Sequence, residues 1–283
     1  MKKILAVSGG VDSMVMLDIF AKKIPKDELV VATFDHGTRE SSKTDAEFVS
    51  KIASRLGIKI VRGEAKLGEK VSEETAREKR YEFLRRVAFL EKGEIFTAHH
   101  LDDLVETTAI NFLRGTGFRG LAGLSNLGIR RPFLDGFFEE VFDKRKILKY
   151  AAENEIIFRE DPTNSSDDYL RNRIRKKVFE LPLEKKLELF SLWKKQKKLV
   201  REINGTTESL IPEDLKFSRD FFRDLEEKTA LEILREATIR AGASTTIPQR
   251  KEFLKAILEY TPGKKFNLPN DKLVKINKKD FML

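Results

Sequence analysis

The sequence predicts an α/β fold: a mostly parallel, doubly wound sheet, followed by a smaller, mainly helical C-terminal domain that ends in a short hairpin. Three observations predict it. Short β-like runs alternate with amphipathic stretches in the first half of the chain, and strand–helix–strand repetition calls for parallel strands with helices on both faces. Residues able to do chemistry follow those strands immediately, where such sheets bind their ligands. After about residue 130 the alternation gives way to helices rich in Lys and Arg.

Element by element, Ile4 to Val7, Val30 to Phe34, Ile58 to Val61 and Ile95 to Ala98 read as strands, each a short apolar run bounded by polar or turn residues. Residues around 12–23, 43–56 and 72–91 read as the crossover helices. A long basic helix is expected from Leu183 to Ile203, and another helix after Pro248 to about Tyr260. Between Gly263 and Leu273 a turn-type cluster separates two alternating runs, as in a small hairpin. Pro182 and Asn204-Gly205 are the nearest punctuation to a boundary. The expected domains are therefore 1–185, catalytic, and 186–283, helical and basic.

With 283 residues, 40% of them hydrophobic and 36% charged, the chain has the composition of a globular protein of two or three domains. It has no cysteine, which removes disulfides, thiolate metal sites and cysteine nucleophiles together. The short apolar run after Met1-Lys2-Lys3 leaves no room for a signal-peptide core, and no stretch approaches the roughly 20 apolar residues of a membrane span. The expectation is a cytoplasmic protein with no membrane association. The formal charge of +9 is concentrated: residues 144–201 hold 17 basic and 9 acidic side chains, against 23 and 23 in residues 1–143. A local excess of that kind attracts a phosphate backbone, or else forms a solvated face.

Ser8-Gly9-Gly10-Val11-Asp12-Ser13 lies between a predicted strand and a predicted helix. Adjacent glycines let the backbone turn its N–H groups inward, and the helix N-terminus adds its positive end, so the segment forms an anion cradle. Asp12 and Ser13 can cap the helix and offer a hydroxyl to phosphate. No Gly-Lys-Ser/Thr follows, so this is not a Walker A loop.

That hexapeptide resembles the PP-loop of the ATP pyrophosphatases, which adenylate a substrate atom and release pyrophosphate. Within that family, further segments are similar to the tRNA(Ile)-lysidine synthetases. They are Phe34-Asp35-His36-Gly37-Thr38-Arg39, Glu74-Thr75-Ala76-Arg77 through Arg80-Tyr81, and Thr97-Ala98-His99-His100-Leu101-Asp102-Asp103-Leu104-Val105-Glu106 with Arg114-Gly115-Thr116-Gly117. Arg131-Pro132-Phe133, Asp161-Pro162-Thr163-Asn164 and Arg171-Asn172-Arg173-Ile174-Arg175 complete the set. The matches run in order over residues 8–175, while the tail from Thr246 is only weakly similar, so a further C-terminal domain of longer members is expected to be absent. The resemblance implies ATP on Ser8, Gly9, Gly10, Val11, Asp12 and Ser13, Mg2+ with it, L-lysine as a second substrate, and tRNA(Ile) with a CAU anticodon as the third.

Read on their own, Asp103 and Glu106 share one helical face with His99 just ahead of it. Two carboxylates beside a phosphate site call for a cation, either a divalent metal or an ammonium group, and a capping role is the bland alternative. The identity of any metal ligand stays unknown at this level. By resemblance the two acids hold the ammonium of lysine. Asp35 follows the second strand and reads either as the acceptor of a loop turn or, by resemblance, as a catalytic acid. Asp35 and His99 are the candidate bases. Arg77 and Arg80, three apart, suit phosphate, carboxylate or a solvated face, and Arg114 sits beside glycines as a further anion candidate. Arg171, Arg173 and Arg175, with Lys194 and Lys195, are the densest part of the basic segment, where an RNA backbone would lie. Whether two copies pair as a homodimer is open.

The chemistry implied is attack of a cytidine 2-oxo group on the α-phosphorus of ATP, loss of pyrophosphate, and displacement of AMP by the amine of lysine. A tRNA thiolase would also adenylate a base, but sulfur delivery usually needs cysteines. A nucleotide- or RNA-binding module without turnover is the rival from another class.

Overall fold

The computed structural model describes residues 1–35, 37, 40–65, 73–124, 128–159 and 170–283. They divide into two compact units, Met1–Gln196 and Lys197–Leu283. The division falls eleven residues beyond the 185/186 boundary expected from sequence, within a long helix.

The first unit is built as the alternation predicts. Strands β1 (Lys2–Ala6), β2 (Leu29–Asp35), β3 (Lys59–Glu64) and β4 (Gly93–Thr97) are joined by helices α1 (Val11–Lys23), α2 (Glu40–Arg55) and α3 (Glu73–Glu91). Helix α4 (Leu101–Leu113), the short α5 (Phe118–Leu121) and a two-residue strand β5 (Ile129–Arg130) follow. All five strands are parallel, in the order β3-β2-β1-β4-β5. The alternating pleat of β1 sends Leu5 to one face and Ile4 to the other. Leu5 joins Val31, Phe96, Phe20 and Val49 in a core shared with α1 and α2, whereas Ile4 joins Val30, Ile95 and the Tyr81, Leu84 and Val87 side of α3. A sheet buried on both faces explains why its strands read as near-continuous apolar runs.

This order puts the topological switch point between β1 and β4, whose connections leave in opposite directions. The crevice beyond their carboxyl ends is the default ligand position. The segments Ser8 to Ser13 and His99 to Asp103 flank it.

Helices α6 (Lys144–Glu153), α7 (Leu170–Glu180) and α8 (Leu183–Ser209) come next. Ile174 and Val178 of α7, with Phe190 and Trp193 of α8, pack on Leu101, Leu104 and Val105 of α4. The α8 helix runs six residues past the expected Ile203. Asn204-Gly205 is therefore not a break; a lone helical Gly costs about 1 kcal/mol, and Thr207 Oγ1 donates to the Ile203 carbonyl at 2.9 Å.

The second unit has its own core of Phe217, Phe222, Leu234, Phe253, Ile257 and Phe281. It holds β6 (Lys216–Ser218), α9 (Arg219–Arg223), α10 (Glu227–Arg240) and α11 (Ile247–Glu259), then the hairpin β7 (Lys265–Leu268) and β8 (Lys272–Lys275), and β9 (Asp280–Met282). The expected hairpin is present, turned by Asn270 and Asp271 at positive φ. One further pairing was not expected: β9 returns antiparallel to β6.

Candidate active site

Ser8 to Ser13 forms the tight strand-to-helix turn that the glycine pair predicts. Gly9 sits at φ +91°, a conformation that a residue with a Cβ rarely adopts. The expected side-chain cap is missing. Gly10 is the N-cap of α1 and makes no side-chain capping bond; Ser13 Oγ instead donates to the Gly10 carbonyl at 2.9 Å and accepts from the Ser8 amide at 3.2 Å. The helix start thus has backbone N–H groups that no side chain caps, a ready site for phosphate oxygens.

Across the crevice, α4 begins with His100 as N-cap, and Asp103 Oδ2 accepts the His100 amide at 2.9 Å. A buried charge network joins the two segments. His100 Nε2 stands 3.6 Å from Asp12 Oδ1 and 3.5 Å from Asp103 Oδ2, with Nδ1 3.8 Å from Asp102 Oδ2. Lys144, at the start of α6, places Nζ 2.6 Å from Asp12 Oδ1 and gives its amide to Asp102 Oδ2 at 2.9 Å. The other Asp102 oxygen takes Lys186 Nζ at 2.6 Å, from a lysine with no exposed surface.

The two histidines are tuned apart. Burial, together with Arg131, Arg80 and Arg77, pushes His99 down to about 4 against the pull of Asp103. Burial also opposes charge on His100, but Asp103, Asp102 and Asp12 outweigh it and push the imidazole up to about 9. Asp102 is buried too, yet His100, Lys186 and the Lys144 amide hold it at about 2. Asp103 is lowered despite burial by His100 and His99, whereas burial and then Asp103 raise Glu106 against Arg175. At neutral pH His99 is a free imidazole, with Thr97 Oγ1 at 2.9 Å from Nδ1, and His100 is a cation.

The residues singled out from sequence are partly brought together. The PP-loop segment, His99 and Asp103 converge on the switch point. Glu106, expected beside Asp103 as a lysine ligand, is nearly buried and pairs with Arg175 Nε at 3.2 Å, a residue expected among the RNA contacts. Asp35 ends β2 and accepts the Gly37 amide at 2.8 Å, the loop-turn reading. Arg77 and Arg80 lie on α3 with their guanidinium carbons 5.4 and 5.3 Å from the Tyr81 ring centre. Arg114 is an exposed C-cap of α4, Arg173 is exposed on α7 where Arg171 also lies, and Lys194 and Lys195 are exposed on α8. His36, Thr38, Arg39 and the Asp161-Pro162-Thr163-Asn164 segment lie outside the described residues. Sequence reasoning missed Asp12 as an ion-pair partner, His100, Asp102, Lys144 and Lys186. The doubled His99-His100 and doubled Asp102-Asp103 were the available signals, and Lys186 had none.

Among the described residues, no three His, Asp or Glu side chains converge to hold a metal ion, and no helix is long and apolar enough to cross a membrane.

A parallel sheet with an uncapped glycine turn at its switch point defines a class, and the family comparison agrees: residues 1–181 match the PP-loop domain model, and the chain belongs to that family. Among curated relatives it is 39% identical over 193 residues to the tRNA(Ile)-lysidine synthase of Thermotoga maritima, covering 65% of this chain and 45% of that one. The tRNA(Ile)-lysidine synthase of Enterococcus faecalis is 36% identical over 190 residues, 64% of this chain and 40% of the relative. The chain thus spans somewhat under half the length of these two relatives. Among solved structures, the U34-tRNA thiolase NcsA of Methanococcus maripaludis superposes with a TM-score of 0.57 at 21% identity, over 70% of this chain and 73% of that one, a likeness of fold.

Proposed function

We propose that the protein uses ATP to adenylate the wobble cytidine of tRNA(Ile) bearing a CAU anticodon, then joins L-lysine to C2 of that base, forming lysidine with release of pyrophosphate and AMP. The observation that carries this reading is the juxtaposition at one switch point of an uncapped phosphate cradle and the carboxylate-bearing start of α4, linked through Asp12 and His100. The name of the curated relatives supplies tRNA(Ile) and the lysidine product; ATP and L-lysine follow from the family resemblance.

In this reading the amides of Gly9 to Val11 and the α1 dipole bind the phosphates, while cationic His100 and Lys144 face the charge that leaves as pyrophosphate. The 2-oxo group of cytidine attacks the α-phosphorus; the phosphoanhydride supplies the driving force, and the protein supplies positioning. Asp103, held ionised, takes the lysine ammonium, and Glu106 adds a second carboxylate whose charge Arg175 partly offsets. The amine must shed a proton before it attacks C2, and His99 as a free imidazole, or Asp35, receives it. Mg2+ suits the donor chemistry, since it needs only one or two carboxylates when phosphates and water complete its shell; Asp12 would hold it, and it would offset triphosphate charge.

Replacing Asp103 with Asn is expected to raise the lysine KM by about tenfold or more and to leave ATP binding within about twofold. Steady-state ligation with varied lysine, and equilibrium ATP titration, read the two. An unchanged lysine KM would remove Asp103 from the amine site.

A further inference from the structure

Lys186 stands in the first turn of α8 with no exposed surface, and the reaction gives it no task. Its Nζ donates to Asp102 Oδ1 at 2.6 Å and lies 3.8 Å from Asp143 Oδ2. Each of these acids stands at the start of a neighbouring helix. Asp102 is in the first turn of α4, and its second oxygen accepts the Lys144 amide at 2.9 Å. Asp143 is the N-cap of α6, and its Oδ1 accepts the Lys146 amide at 2.9 Å. One buried ammonium thus joins the starts of the two helices that present His100, the N-cap of α4, and Lys144, the first residue of α6. Both of those side chains approach one atom of the phosphate cradle, Asp12 Oδ1, with Lys144 Nζ at 2.6 Å and His100 Nε2 at 3.6 Å.

The docking of α8 has other supports. Phe190 and Trp193 pack on Leu101, Leu104 and Val105 of α4, and Trp193 Nε1 donates to the Gly123 carbonyl at 2.7 Å. A buried ion pair gains little over an apolar pair of similar volume, because desolvation of the two charges offsets their attraction. What it adds here is direction: with Oδ1 held by Lys186, the Asp102 carboxylate keeps Oδ2 turned to the Lys144 amide. We infer that Lys186 is a positioning residue of the phosphate site, which through Asp102 and Asp143 sets the starts of α4 and α6 so that His100 and Lys144 converge on Asp12. The inference rests on the ATP-binding part of the proposed function and is independent of which base is adenylated and which amine follows.

Two full-length variants test it. Lys186→Met keeps the length of the side chain and removes its charge. Lys186→Met combined with Asp102→Asn also removes the carboxylate that the single change leaves buried and poorly paired. Thermal melting is followed by titration with ATP and with adenosine, which lacks the phosphates, well below the lowest melting temperature. The single variant is expected to melt lower than the parent, and the double variant to regain most of that loss. Both are expected to bind ATP about 10- to 100-fold more weakly, the range of one or two misplaced charge-assisted bonds. Adenosine is expected to bind each within about twofold of the parent. A lysine with a purely structural part would lower the melting temperature and leave both affinities at the parent's values. That result, or an equal loss of ATP and adenosine, overturns the assignment. If the single variant does not fold, the double variant decides by the same split. A parent that binds ATP no better than adenosine would remove the ATP reading itself, an outcome read without either variant.

Discussion

His99 and His100 are adjacent and carry opposite charge states at neutral pH, because a strand end points one toward arginines and a helix start points the other toward three aspartates. The stability consequence has a definite sign. A folded value raised from 6.5 to about 9 means that His100 contributes stability that is complete below about pH 6.5 and drains away as the pH rises through about 9. His100→Gln is expected to lower stability at neutral pH and to flatten that alkaline loss, read as urea midpoints across the range. An alkaline limb as steep as the parent's would show that another group causes it. Asp102 acts in the opposite direction: its stabilisation is complete above its ordinary 3.8 and is lost as the pH falls through about 2. At this scale the sequence was legible where the residue type itself is unusual. Gly9-Gly10 between strand and helix, and the acids just after His99, could be read directly. The partner of a charge could not, since Lys186 lies 84 positions from Asp102 and looks like any other helical lysine.

Among elements, those with long periodic patterns could be read to within a few residues at most ends, and β5 could not, because two residues carry no alternation. The join between α8 and α4 was also hidden, although it fixes the start of the helix that presents Asp103. Lys186→Met leaves Asp102 buried with only His100 and the Lys144 amide, and is expected to cost about 3–5 kcal/mol, measured by denaturant unfolding; a cost under about 1 kcal/mol would mean that the pair behaves as an exposed one. Gly93 opens β4 where a Cβ would stand 2.7 Å from the Lys2 carbonyl, a backbone atom that cannot swing aside. Gly93→Ala should therefore destabilise by about 1–3 kcal/mol. In the second unit, Arg219 satisfies the carbonyls of Ile257, Leu258 and Tyr260 at the end of α11 and that of Asn277. Such a cap is set by tertiary contact, and no local sequence pattern announces it.

Over the whole molecule, the positive surplus falls on α6, α7 and α8, and so lies on both sides of the division between the units. Charge counting found the surplus; the division lies between the two punctuation points, Pro182 and Asn204-Gly205, because the chain changes unit inside an unbroken helix. Lys194 and Lys195 are exposed on α8. Reversing both to Glu is expected to weaken RNA binding and reduce the slope of log affinity against log salt by about 1–2, with ATP affinity unaffected; an unaltered slope would take RNA off this helix. The central claim is that an adenylated base on RNA is captured by lysine. It is tested most directly by following labelled L-lysine into purified tRNA with a CAU anticodon, with ATP and without it. The expected result is ATP-dependent incorporation that Asp103→Asn diminishes. Pyrophosphate release on that RNA with no lysine incorporated at any concentration would contradict the account.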